Sequence, residues 1–218
     1  SSVEDTENQG KSEIKAAKQG AAARMNTAKR MSGLFEAAGR KIVQKEKAGI
    51  LKGIDEHLKQ KVVVDFQKWL DTFYEEFSAY IKKTISGPVQ EYIDAIMPLA
   101  AAEVQATTDK LPDMSSFVRK YAEIFARDYV WSSKGQLQQI TNTSENAEIA
   151  IMDRLDEWEE KRPSKIAKNE SIACSNAIAK AFFVAAGIAK LMWVAQGRTS
   201  CPLCQELDGQ IVGSEGRF

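Results

Sequence analysis

Histidine occurs once in the 218 residues, at His57 on a lysine-rich segment. No Ser-His-Asp grouping is feasible around it, no glycine-rich phosphate loop is present, and no catalytic role is assigned to any residue. Cysteine is scarce as well. Three cysteines, two of them within one CPLC, cannot build an even disulfide framework, and they point to a reducing compartment. With 5 prolines, 44% apolar and 28% charged residues, a collagen, a disordered chain and a disulfide-built mini-protein are excluded. Long apolar runs are missing. The best, Ala177 to Ala195, is interrupted by Lys180 and Lys190 and falls short of the roughly 20 residues a bilayer helix needs. Residues 1–20 have no apolar h-region, so no secretory signal is expected, and no membrane partner.

The chain is neutral in sum and uneven in detail. Lys11 to Lys61 holds 13 basic and 5 acidic residues, and the remainder offsets that +8. Between Glu145 and Glu160 seven carboxylates face Arg154 alone. The basic segment, with Lys29, Arg30, Arg40, Lys41, Lys45 and Lys47, suits phosphate groups, an acidic face of a partner or another copy, or plain solvation.

Helical periodicity dominates. Residues 1–22 lack large apolar side chains apart from Val3 and Ile14 and read as a flexible leader. A basic amphipathic arm follows over 23–61, with Ile50, Ile54 and Leu58 at strict four-residue spacing. In the helical region 62–160, Phe66, Trp69, Phe73, Phe77 and Tyr80 form one aromatic stripe, expected to be core or a partner face, on a helix that Gly87-Pro88 ends. Pro98 predicts a kink and Ser115 or Ser116 a helix start. Ser132 to Gly135 reads as a polar connection, and Asn142 with Glu145 as a capping box. The last helix is expected from Ser164 to about Ala195, with a small-residue side at Ala173, Ala177, Ala181, Ala185 and Ala189. A hairpin candidate, Leu207 to Val212, lacks an evident second strand. The fold class is mainly α: an elongated helical bundle closing on a short CxxC turn.

The most specific signal is WVAQGRTSCPLCQELDGQIV, Trp193 to Val212. Cys201 and Cys204 have the spacing of half a zinc site. Four ligands are the usual requirement, and neither Cys174 nor His57 is close enough in sequence to supply the others. A redox role lacks the strand-to-helix context that lowers a thiol pKa. The run from Lys165 to Val212 resembles the C-terminal half of the tailed-phage head-morphogenesis proteins, the phage Mu F-like minor head proteins. In that family a helix opening on an "IARTE"-like element leads to a Trp and then to an "RTCPxCxxLDG" segment. Ile166, Ala167, Asn169 and Glu170 match the first element; Trp193 matches the aromatic; Arg198, Thr199, Cys201, Pro202 and Cys204 match the knuckle; Leu207, Asp208 and Gly209 match the turn. Lys168 and Asn169 replace the family's Arg and Thr.

The resemblance covers residues 160 to 213. It implies a non-enzymatic virion component in the head interior or at the portal vertex, present in host cytoplasm during assembly. Its partners would be the portal protein, capsid proteins, other copies and packaged DNA, and its work head assembly, packaging or ejection. Family members continue to a His- and Cys-bearing element, so the given chain is expected to be truncated. Zinc is accordingly expected only with ligands from such a tail or from another chain. Ala37 to Lys47 also resembles extensions of some portal proteins, which suggests a portal fusion or a product processed from one. The alternative is a DNA-associated or toxin-delivery helical module ejected with the genome.

Overall fold

The computed structural model describes residues 3–58, 63–106, 113–195 and 202–213, with side chains from 14 onward in the first stretch and from 65 in the second. The mainly α expectation holds. Among the described residues the elements are α1 (Val3–Arg30), α2 (Ser32–Gly53) with a π-helical turn Ile54–Leu58, α3 (Val63–Glu103), α4 (Ser115–Thr143), α5 (Ala147–Ala185), β1 (Lys190–Met192), α6 (Pro202–Leu207) and β2 (Ile211–Gly213). No described helix is long and apolar enough to cross a membrane.

The helices outrun the expected breaks, and burial explains why. Along α3, Ile81, Ile85, Val89, Tyr92, Ile96 and Ala100 are all fully buried, so the apolar face passes unbroken through Gly87, Pro88 and Pro98. An interior proline costs about 3 kcal/mol, whereas each large buried side chain contributes about 1.5–3; the stripe outweighs the proline. The same logic carries α4 through Ser132–Gly135, since Ser133 and Leu137 continue the inward face of Ala122 and Ala126. It also carries α5 through Pro163, between buried Trp158 and Ala167. The N-terminal cap of α5 is Asn146, whose side-chain oxygen accepts the Ile149 N–H at 3.2 Å; Asn142 instead accepts a bond from Gln67 at 2.7 Å.

Residues 3–22, expected as a leader, are the first turns of α1. Alanine, the strongest helix former, recurs at Ala16, Ala17 and Ala21 to Ala23. At the other end, α5 stops ten residues before the expected boundary. Gly187 takes φ +76°, the Gly187 N–H bonds Val184 O at 3.0 Å and the Ile188 N–H bonds Phe183 O at 2.9 Å, a Schellman stop. The chain released there forms β1, which supplies the missing strand: Leu191 pairs with Val212 and Met192 with Ile211, antiparallel. The buried face of this helix is Cys174, Ile178 and Phe182, while Ala173, Ala185 and Ala189 of the small-residue side are exposed.

Two compact units result, each assembled from separated stretches of chain. One comprises 31–91 and 114–171; the other comprises 1–30, 92–113 and 172–218. In the first, helices α2 to α5 share a core that includes Phe35, Ile42, Leu70, Ile81 and Leu155. In the second, the Tyr92 hydroxyl donates to Ala28 O at 2.7 Å, and Arg24 pairs with Glu103 at 2.8 Å with both side chains 9% exposed.

Candidate functional site

On α2, Ile42, Glu46 and Ile50 follow one another at four-residue spacing. That spacing puts the carboxylate on the apolar stripe, and Glu46 is fully buried. It is satisfied by three other helices. The hydroxyls of Tyr74 on α3 and Tyr129 on α4 donate to it at 2.7 and 2.5 Å, and Arg162 Nη1 on α5 stands 3.5 Å away. Arg162 also donates to Ser133 Oγ at 2.7 Å, while its guanidinium lies 3.3 Å from the centroid of Trp158 and 5.2 Å from that of Tyr129. Burial pushes the Glu46 carboxyl above its ordinary value, against the opposing pull of Arg162 and of the hydroxyls of Tyr129, Tyr74 and Ser133. Burial, then the Glu46 charge, drives both tyrosines well above theirs, so they remain donors.

Over this cluster, within the same unit, lies a cleft of about 350 Å³ between α4 and α5. From α5 the positions Arg154, Trp158, Lys161, Lys165 and Asn169 recur every three or four residues along one face, and α4 adds Tyr129, Ser132 and Gln136. Glu157 on its wall is held below the ordinary carboxylate range, first by its bond from Lys161 at 3.3 Å and then by Arg154 at 2.8 Å. Glu170 is pushed up by burial, although it accepts the Tyr121 hydroxyl at 2.6 Å. Of the "IARTE"-like element, Ile166, Asn169 and Glu170 line this cleft, and Ala167 is buried.

The other described residues that carry the resemblance belong to the other unit. The Trp193 N–H donates to Gln210 O and its carbonyl accepts the Gly209 N–H, both at 2.9 Å. Asp208 accepts the Ala195 N–H at 3.0 Å and pairs with Lys18 at 2.9 Å; those contacts, Lys18 first, hold its carboxyl below the usual range. Gly209 sits at φ +84°, where a side chain would be strained. Trp193, Asp208 and Gly209 therefore close the β1–β2 ribbon together. Pro202, Cys204 and Leu207 lie on α6; Cys204 is half-buried. Arg198, Thr199 and Cys201 lie outside the described residues. Among the described residues no three His, Cys, Asp or Glu side chains are grouped as metal ligands would be.

The basic residues separate. Lys29, Arg30, Arg40, Lys41 and Lys45 are exposed, Arg40 being paired with Glu36 at 3.1 Å. Lys47 bonds Asp156 at 2.7 Å and Glu159 at 2.5 Å, so the acidic partner of this lysine is in its own chain. The aromatic stripe divides too. Phe66 and Phe77 are buried, while Trp69, Phe73 and Tyr80 are half-buried in a ladder of stacked rings, with centroids 5.1 Å apart for Trp69–Phe73 and 5.2 Å for Phe73–Phe77. No protein-family model, curated protein or solved structure matches this chain.

The Glu46 cluster escaped the sequence reading. Its signal was a carboxylate at an inward position of a four-residue repeat, between two isoleucines.

Proposed function

We propose that the chain is a structural minor head protein of a tailed bacteriophage, one that binds the portal and the capsid interior and works by docking. What carries this reading is the ordered motif Trp193, Asp208 and Gly209, in which the matching residues hold one turn together through backbone and carboxylate bonds. A segment that serves as a folding element is what a scaffold for assembly requires. Long helices with exposed Trp131 and Ile124 offer side chains for partner contact. Zinc at Cys201 and Cys204 belongs to this proposal only with ligands from a longer tail or another chain.

Purified portal rings and the purified chain, sedimented together, provide the test. Pelleting with portal and retention in mature particles are expected. Absence from both refutes the reading. The alternative, a DNA-associated or toxin-delivery module ejected with the genome, draws on the exposed Lys41 and Lys45. It predicts retention on random duplex DNA with a steep salt slope and no affinity for portal.

A further inference from the structure

We propose that the cleft between α4 and α5 binds a phosphoryl anion, with Lys165 as its principal charge and Ser132, Gln136 and Asn169 as neutral hydrogen-bond partners. This goes beyond the virion reading and does not rest on it, since it uses only side chains of the cleft.

Charge balance is the first argument. Glu157 is shared by two cations, Arg154 and Lys161, which leaves one positive charge over. Arg162 is balanced by Glu46. Lys165 lines the cleft and has no ion pair among the described residues, which adds a second unbalanced charge. Against these stands Glu170, partly buried and hydrogen-bonded by Tyr121. A net positive wall around about 350 Å³ suits a small anion, at the lower end of the roughly 300–1,000 Å³ typical of ligand sites.

Donor type decides between anions. Carboxylates are best held by an open arginine fork. Here each guanidinium is already engaged within the chain through its Nη1, Arg162 with Ser133 and Glu46 beneath the Trp158 ring contact, and Arg154 with Glu157. The charge without an ion pair among the described residues is a lysine point charge, flanked by the Asn169 amide and by Ser132, whose hydroxyl accepts a bond from Gln136 at 3.0 Å and keeps its own O–H to donate. That set fits a tetrahedral oxyanion, which accepts bonds from several directions.

Titration calorimetry with inorganic phosphate, at ionic strength held constant with sodium chloride, tests the site on the intact chain. Saturable one-site binding is expected. Removing one charge-assisted contact in Lys165→Gln should weaken it about tenfold, and Asn169→Ala should weaken it severalfold. Both side chains are exposed, so neither change threatens the fold. Lys41→Gln with Lys45→Gln, outside the cleft, should leave binding unchanged. A second arm adds duplex DNA of random sequence: displacement of phosphate that depends on Lys165 identifies a nucleic-acid phosphodiester as the source, and lack of displacement identifies a free phosphate. Absence of phosphate binding overturns the proposal, as does a Lys165→Gln protein that binds like the parent or an equal loss from the Lys41 and Lys45 pair.

Discussion

Replacing Gly53 by alanine should destabilise the protein, although helix propensity alone favours the change by about 1 kcal/mol. A Cβ on Gly53 would stand 2.2 Å from Cη2 and 2.3 Å from Cζ3 of Trp69. The indole cannot swing aside at little cost. Phe66 and Phe73 stack on it with centroids 5.6 and 5.1 Å away, and His57 lies at 5.7 Å. Overpacking of this kind costs about 1–3 kcal/mol, and disturbing a stacked pair adds about 0.5–1.5. The sum exceeds the propensity gain, leaving a net loss of about 0.5–3.5 kcal/mol, or several degrees of melting temperature at the middle of that range for a chain of this size. Urea unfolding followed by circular dichroism measures it. Gly135→Ala, where nothing lies within 4 Å of the added atom, is the matched control and should gain up to about 1 kcal/mol. In a Trp69→Leu background the Gly53→Ala penalty should vanish, because the two positions interact directly. If Gly53→Ala stabilises as Gly135→Ala does, or if its penalty is the same in both backgrounds, the packing argument fails.

Glu46→Gln should remove a pH dependence. The folded carboxyl titrates above its ordinary 4.5, so its stabilising contribution is full below that value and is lost as pH rises through the folded pKa. The parent-minus-variant difference in melting temperature should therefore fall across that window; a flat difference refutes it. Arg24→Met leaves Glu103 without its cation at a site where both side chains are 9% exposed, which should cost about 3–5 kcal/mol in urea unfolding. Charge reversal at Lys41 and Lys45, both exposed, should change stability by no more than about 0.5 kcal/mol while weakening pelleting with DNA or portal. Lys47→Glu, facing Asp156 and Glu159, should lower the melting temperature more than either.

Helix type was legible in the sequence, and helix limits were not. Local rules read Gly87-Pro88 as a helix end, Ser164 as a helix start and the polar run Ser132–Gly135 as a connection, but each lies on a stripe whose burial continues on both sides. Tertiary burial, which the local rules cannot see, decides such cases. The helical start of α1 was missed for a related reason. An alanine-rich segment has no large side chain to reveal its packing, yet a Cβ on Gly20 would stand 2.5 Å from the Glu103 side chain and Lys18 reaches Asp208. Asp208 and Gly209 were legible as a turn because their chemistry is local. Their strand partner was not, because Lys190–Met192 carries no strand signal and separates from α5 only at Gly187. The cleft was invisible because its two walls come from helices separated by sequence, and its lysines read as solvated.

The buried carboxylate raises the question of what it does for the unit that holds it. Glu46 with Arg162 contributes little to stability as a pair, since apolar side chains of similar volume would pack at least as well. Its geometry constrains the helices instead. One acceptor on α2 is met by Tyr74 from α3, Tyr129 from α4 and Arg162 from α5, with Ser133 completing the guanidinium's bonds. Sliding any of these helices by one turn, about 5.4 Å, would strand a buried polar group, whereas sliding leucine on leucine costs far less. The cluster therefore fixes axial register, and because Tyr129 and Arg162 also line the cleft, the same contacts set the relative height of the α4 and α5 residues around it. A cavity between two such helices keeps its shape only if they cannot shift past each other, and the polar tie beneath it supplies that condition.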